Sequence, residues 1–512
     1  MIASARLSRI LPLFFVARAY AYAGVGLHVS VVRRVPRPLL RAWPAVDIDV
    51  DRVVKELMER ADEPRVRAGT QNIAADPAQS VTTRIHVEDD LHEDDYCSAT
   101  GVRCARALPE WMRKLSELEE RGAASVVLLA ATVLSLGLAN GAATSAAWLR
   151  LWTLPVGPHI GAHALSLQGW INEGLMALFF FVVGLEIKLE LREGSLSTPR
   201  KALLPCIAAL GGMVMPMLVY ALAQLLVPGG GSLAAVTVPM ATDIAFALAI
   251  LSFFRDRMPS SATTFLLTLA TVDDLGAILV LALFSGSSIA LPYLAAAAAV
   301  AAAVAALGRR RSTDVRLFGA GGLALWYCLL RGGVNADIAG VVAGLSVSTK
   351  AELPVEGSGR KERLGERLIA KLSPLCAFVV MPLFALCNTA VRLPAIGGAA
   401  CRSVGPAIGV LAGLLLGKPL GILSFASMAD RLGIARYPAG LTSVHTAAVG
   451  LLGGIGFTMC LLLCEATLPA SAQALPKLAV LLGSASAALV AALAMRSLPL
   501  DTSTIEPVEA SA

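Results

Sequence analysis

The chain has 512 residues, of which 56% are hydrophobic and only 16% charged, and its mean hydropathy is +0.69. A soluble protein carries about 25% charged residues, so an ordinary cytosolic enzyme, a disordered hub and a disulfide scaffold are disfavoured at once. What is left is a polytopic membrane protein. The net charge of +6 raises nucleic acid as a partner, and the placement of the 43 Lys and Arg decides that question. Seven of the nine cysteines (Cys206, Cys328, Cys376, Cys387, Cys401, Cys460, Cys464) lie in or beside apolar runs. With no CxxC and no Cys/His pair at zinc-ligand spacing, they read as small buried hydrophobes, and no cofactor is expected.

Composition changes sharply near residue 122. Residues 1–46 hold seven Arg and no acid, and residues 47–96 hold fourteen acids against six bases. Neither stretch has a sustained helical or strand period, so residues 1–110 read as a disordered extension. Arg6 and Arg9 before an apolar run, with Ala21-Tyr22-Ala23 after it, resemble a targeting peptide. The other reading is upstream sequence ahead of a start at Met112. Residues 111–497 form the membrane domain, and 498–512 read as a disordered tail.

From Ala123 onward, apolar runs alternate with short polar loops. Twelve runs approach the ~20 residues that cross ~30 Å of hydrocarbon. They are 123–140, 170–187, 202–226, 236–254, 262–284, 291–307, 317–330, 334–347, 372–390, 404–428, 444–464 and 475–494. Lipid offers no partner to free backbone groups, so each run must be helical. If the first run starts in the cytoplasm, flanks and loops on that side carry 24 Lys and Arg against five on the other (Arg150, Arg331, Arg392, Arg402, Lys477). The basic balance is therefore a topology signal that puts both ends of the membrane domain in the cytoplasm. Nucleic-acid binding loses its support.

A charge at mid-bilayer costs at least ~2.5–3.5 kcal/mol on insertion scales, so it marks function. Asp273 and Asp274 stand at the middle of the fifth run. Repulsion and desolvation favour proton uptake there, and paired hard oxygens suit a small cation. A site that holds either one is the chemistry of exchange. Asp243 lies in the fourth run, where a packed and satisfied polar residue is the alternative reading, and Lys418 lies in the tenth, within Gly413-Leu-Leu-Leu-Gly417-Lys418-Pro419. That sequence is no phosphate-binding loop: its glycines are too close and Pro419 stands where Ser or Thr is needed. Gly413 and Gly417 read as close helix packing, and a buried Lys418 needs one of the Asp residues. Gly450-Leu-Leu-Gly-Gly-Ile-Gly-Phe-Thr458 is a poor helix core; glycine-rich helix packing is one reading, and a broken helix lining a cavity is the sharper one.

These segments resemble the NhaA-type sodium/proton antiporter family. The likeness rests on Asn172-Glu-Gly-Leu-Met through Gly184-Leu-Glu186-Ile-Lys-Leu-Glu190, Ala241-Thr-Asp-Ile-Ala-Phe, Val272-Asp-Asp-Leu-Gly-Ala-Ile, Gly417-Lys-Pro-Leu-Gly-Ile and Gly453-Gly-Ile-Gly-Phe-Thr-Met. It covers about residues 115–497, with the motifs in order. It implies an all-α fold of twelve transmembrane helices, with spans three to five and ten to twelve as inverted repeats and spans four and eleven discontinuous and crossing. By motif, Asp274 is the principal cation and proton site, and Asp273 is a second carboxylate paired with Lys418. Thr242 and Asp243 lie at the crossing, where Asp243 offsets helix-end dipoles. Glu186 and Glu190 match cytoplasmic funnel acids of pH sensing, and Glu173 holds the place of an Asp at the other end of that span.

The resemblance further implies electrogenic exchange of Na⁺ or Li⁺ for protons by alternating access in the bacterial inner membrane. Membrane lipid is then the surroundings, and roles in pH and sodium homeostasis follow. The resemblance makes Leu154–Leu167 a candidate for the periplasmic hairpin through which family members form a homodimer, although Gly157-Pro158 makes a weak strand and the sequence leaves the oligomeric state open. Two departures stand out. The family's Gly-Val-His-Ala-Thr is here Gly333-Val-Asn-Ala-Asp337, and a Glu/His-rich stretch becomes Arg367-Leu-Ile-Ala-Lys-Leu-Ser373. A neutral Asn335 or Ser373 cannot titrate as histidine does, so a shifted or flatter pH profile is expected. Two rivals fit less well. An intramembrane aspartyl protease needs facing Asp residues from separate helices, whereas adjacent Asp273 and Asp274 point roughly 100° apart. A passive channel has no need of titratable ligands or of Lys418.

Overall fold

A chain with this many apolar runs must bond its backbone to itself, and the computed structural model is accordingly helical almost throughout. It describes Lys114 and residues 122–499, apart from 161–162, 227–231, 285–289, 355–360 and 394–400. The expectations for the 1–110 extension and for nearly all of the 498–512 tail fall outside the described residues.

Helix α1 (Ala123–Asn140) leads through α2 (Ser145–Thr153) into a hairpin of β1 (Pro155–Ile160) and β2 (His163–Ser166). The strands pair antiparallel with a register slip between Pro155 and His159, where Gly157 takes a φ of 84° that a residue with a Cβ rarely adopts. The hairpin thus forms despite Gly157-Pro158. Trp170 Nε1 ties it down by donating to Val156 O at 2.7 Å.

A π-helical turn, Trp170–Leu175, runs into α3 (Met176–Arg192), followed by α4 (Pro199–Leu226) and α5 (Ile244–Ser252). Next come α6 (Ser260–Phe284), α7 (Leu291–Arg309), α8 (Val315–Gly332) and α9 (Ile338–Ser346). A short antiparallel pair, β3 (Glu352–Pro354) and β4 (Lys361–Arg363), precedes α10 (Leu364–Leu375). A π turn (Cys376–Val380) joins α10 to α11 (Met381–Asn388), and another (Gly413–Gly417) joins α12 (Cys401–Ala412) to α13 (Lys418–Arg431). The last helices are α14 (Ser443–Gly453), α15 (Phe457–Thr467) and α16 (Ala474–Arg496).

Among the described residues eight helical stretches are long and apolar enough to cross a membrane, or nine if α14 and α15, bent by 48°, count as one. The chain is a multi-pass, all-α membrane protein. Three of the twelve expected runs fall short of that measure. Helix α3 ends in Glu186, Lys188, Glu190 and Arg192, and α8 includes Arg316, Arg331 and four glycines. Helix α9 has nine residues, about 14 Å of helix against ~30 Å of hydrocarbon.

Glycine sets how closely these helices approach. Helix α9 lies against α3 so tightly that a Cβ on Gly184 would stand 2.7 Å from Val341 O. Gly340 and Gly344 meet the α3 backbone in the same way. Gly417 faces Pro216 of α4, where a Cβ would lie 2.5 Å from the proline Cα. The reading of Gly413 and Gly417 as packing residues agrees with this contact.

Candidate functional site

Two interruptions in the helices meet each other. Residues 241–243 are extended ahead of α5, and 454–456 separate α14 from α15. Each break frees backbone groups that must find partners. The Asp243 N–H donates to Ile455 O at 2.6 Å, and Thr242 Oγ1 donates to Gly453 O at 3.1 Å. The Asp243 side chain caps both helices that start there. Its Oδ1 accepts from Phe246 N at 3.2 Å, and its Oδ2 accepts from Thr458 N at 3.1 Å and Thr458 Oγ1 at 2.6 Å. A carboxylate facing two helix N-termini meets their positive dipole ends.

The other charges gather around this junction. Lys418 Nζ donates to Asp273 Oδ2 at 2.7 Å and also to the carbonyl of Met240, just before the first break. Asp243, Asp273, Asp274 and Lys418 are all at most 2% exposed. Asp273 Oδ1 and Asp274 Oδ1 are buried with no hydrogen-bond partner. Asp274 lies within reach of the charges of Asp273, Asp243 and Lys418. Three acids therefore share one fixed base, and oxygen acceptors are left over. Such a cluster can bind a proton or a small hard cation.

The three remaining residues singled out by sequence separate. Glu186 is exposed on α3. Glu190 accepts from Ser195 N at 2.7 Å and so holds the turn after α3. Glu173 sits at the opposite end of the helix in the π turn, where its Oε2 accepts from Ala336 N at 3.4 Å. It lines a cavity of about 290 Å³ with Gln168, Asn172, Asn335 and Glu465.

Sequence reasoning missed several partners. Thr458 was one residue of a glycine-rich break and is the main donor to Asp243. Lys477, a loop base by its place in the sequence, is 4% exposed and paired with Glu465. Glu465 also accepts from Gln168 Nε2 at 2.8 Å and from Gln473 Nε2 at 3.1 Å. The signal was present: Glu465 and Lys477 bracket a turn between two apolar runs.

Interrupted helices joined through buried Asp and Lys in a multi-pass bundle define an ion-handling membrane protein. Comparison with known proteins narrows the class. The family described as Na+/H+ antiporter 1 matches residues 116–495. The Na(+)/H(+) antiporter NhaA of Pectobacterium carotovorum is 39% identical over 405 residues, covering 77% of this chain and 98% of that protein. NhaA 2 of Sorangium cellulosum is 37% identical over 427 residues (76% and 90% covered), and NhaA of Yersinia enterocolitica is 38% identical over 380 (73% and 94%). This chain belongs to the NhaA-type sodium/proton antiporter family.

Proposed function

We propose that this chain is a sodium/proton antiporter of the bacterial inner membrane, extruding Na⁺, and Li⁺ as a close substitute, in exchange for protons. The observation that carries the reading is the buried Asp274 carboxyl, with an unpartnered Oδ1 beside Asp273, Asp243 and Lys418. In this scheme the ion displaces protons from Asp273 and Asp274 when the site faces inward. A rearrangement then exposes the site outward, the ion leaves, and protons reload the carboxylates. Competition for the same oxygens couples the two fluxes, because ion and protons cannot occupy them together. More protons enter than ions leave, so the exchange is electrogenic and serves sodium and pH homeostasis.

The proposed architecture is twelve spans with inverted repeats and two discontinuous helices crossing at Thr242 and Asp243. The contact between residues 241–243 and 454–456 supports it. Asp243 and Lys418 are supporting charges at the crossing. Glu186 and Glu190 belong to the inward funnel and Glu173 to the outward end, with both ends of the membrane domain in the cytoplasm. The β1–β2 hairpin is the proposed contact of a homodimer.

The test uses everted vesicles from an antiporter-deficient strain, with a pH-sensitive dye. Added Na⁺ or Li⁺ should collapse the proton gradient in vesicles carrying this chain, and Asp274→Asn should abolish the response. A response that survives Asp274→Asn refutes the reading.

A further inference from the structure

A second pair of acids meets inside the protein, at the other end of α3 from Glu186. Glu173 comes from the π turn and Asp337 from the residue before α9. Asp337 is 2% exposed, and neither of its carboxylate oxygens has a hydrogen-bond partner. Its own N–H is spent on Asn335 Oδ1 at 2.8 Å, and the Ala336 N–H is turned to Glu173. The charge that acts on Asp337 is Glu173, which is of the same sign.

The helices packed against α9 supply no counter-charge, and Lys477, the base nearest the adjoining cavity by way of Glu465, is already paired with that acid. Helix α9 packs against α3, α7 and α8. On those helices the groups at this end are Tyr293, Tyr327 and Arg331. Arg331 is committed to Tyr293, donating to its Oη at 2.9 Å with the guanidinium 5.0 Å from the ring centroid. Arg309, Arg316, Glu186, Lys188, Glu190 and Arg192 lie at the far ends of their helices. None of the ion pairs among the described residues includes Asp337 or Glu173. A buried carboxylate with neither donor nor counter-charge is unstable beside a second acid, so a positive charge must be supplied from outside.

We propose that Glu173, Asp337 and the Asn335 side chain form a second cation site, separate from the Asp273–Asp274 pair, that takes one H⁺ or one Na⁺. Carboxylate and amide oxygens are hard donors suited to either. No group of three or more His, Cys, Asp or Glu able to hold a metal occurs among the described residues, which disfavours a transition metal here. Access is available, since Glu173 and Asn335 line the 290 Å³ cavity. In the family pattern quoted above a Thr stands where this chain has Asp337.

The test uses the full chain, purified in detergent, on an Asp274→Asn background that silences the proposed transport site. Equilibrium binding of ²²Na⁺ is measured together with the infrared band of protonated carboxyl groups. If Na⁺ is the occupant, saturable binding persists on that background, and Asp337→Asn and Asp337→Thr each weaken it at least tenfold. If a proton is the occupant, no Na⁺ binding persists, and both substitutions remove a protonated-carboxyl band. Both substitutions leaving Na⁺ binding and the carboxyl band unchanged overturns the proposal. Asp337→Thr restores the residue of the family pattern and guards against a folding failure of Asp337→Asn, with size-exclusion elution as the control.

Discussion

Lys418 Nζ stands 2.7 Å from Asp273 Oδ2, and the two side chains are 0% and 1% exposed. Removing one partner of a buried pair strands the other charge, which costs about 3–5 kcal/mol. Lys418→Met is therefore expected to lower the melting temperature of the detergent-solubilised protein strongly. Asp273→Asn combined with Lys418→Met should recover at least half of that loss. Thermal unfolding of the two single variants and the double variant closes the cycle, and simply additive losses would contradict the pairing.

The Asp243 side chain serves two helix starts at once, through Phe246 and Thr458. Asp243→Ala leaves the buried Thr458 N–H and the Phe246 N–H without this acceptor, at about 1–3 kcal/mol for a buried group. Thr458→Val removes only the hydroxyl donor and should cost about 1 kcal/mol. The predicted order is Asp243→Ala well below Thr458→Val in melting temperature, and the reverse order would sink the capping role.

The parts of this site that were legible in the sequence are those whose chemistry contradicts their surroundings. Asp243, Asp273, Asp274 and Lys418 stand inside apolar runs, and the glycines of 450–456 announce a helix that cannot continue. The break at 241–243 is different. Ala241-Thr-Asp carries no glycine, and its extended backbone is stabilised by Gly453 and Ile455, more than two hundred residues away. No local signal encodes such a partner. Lys477 is hidden for a related reason: it lies at the head of an apolar run, where a loop base and a buried one look alike until Glu465 is beside it. Val334–Val347 reads as a full span because it is apolar from Ile338 onward, yet Asn335 and Asp337 stand at its head and the helix proper begins only at Ile338.

The approach of α9 to α3 gives a steric prediction. A side chain at Gly184 would run into the carbonyl of Val341, which is backbone and cannot turn aside. Gly184→Val should prevent docking of α9 and remove most folded protein. Gly137 of α1 has nothing within 4 Å of its Cβ position, so Gly137→Ala should be neutral or stabilise by up to about 1 kcal/mol. Yield of monodisperse protein on size exclusion, with melting temperature, separates the two. Equal tolerance at both positions would mean that the helices do not pack this closely.

Asn335 bears on how antiport would respond to pH. Its amide lines the cavity beside Glu173, and its Oδ1 holds the Asp337 N–H. An amide keeps the same charge at every pH, whereas a histidine gains a proton near pH 6.5. A histidine here would gain positive charge next to two acids on acidification and lose it on alkalinisation, adding a titrating step to the transport cycle. The natural chain should therefore show a shallow change in Na⁺-driven dye response between about pH 6 and 8, and Asn335→His should make it steeper. Everted vesicles assayed across that range, at saturating Na⁺, give both curves. Superimposable curves would mean that protonation at position 335 has no bearing on the rate.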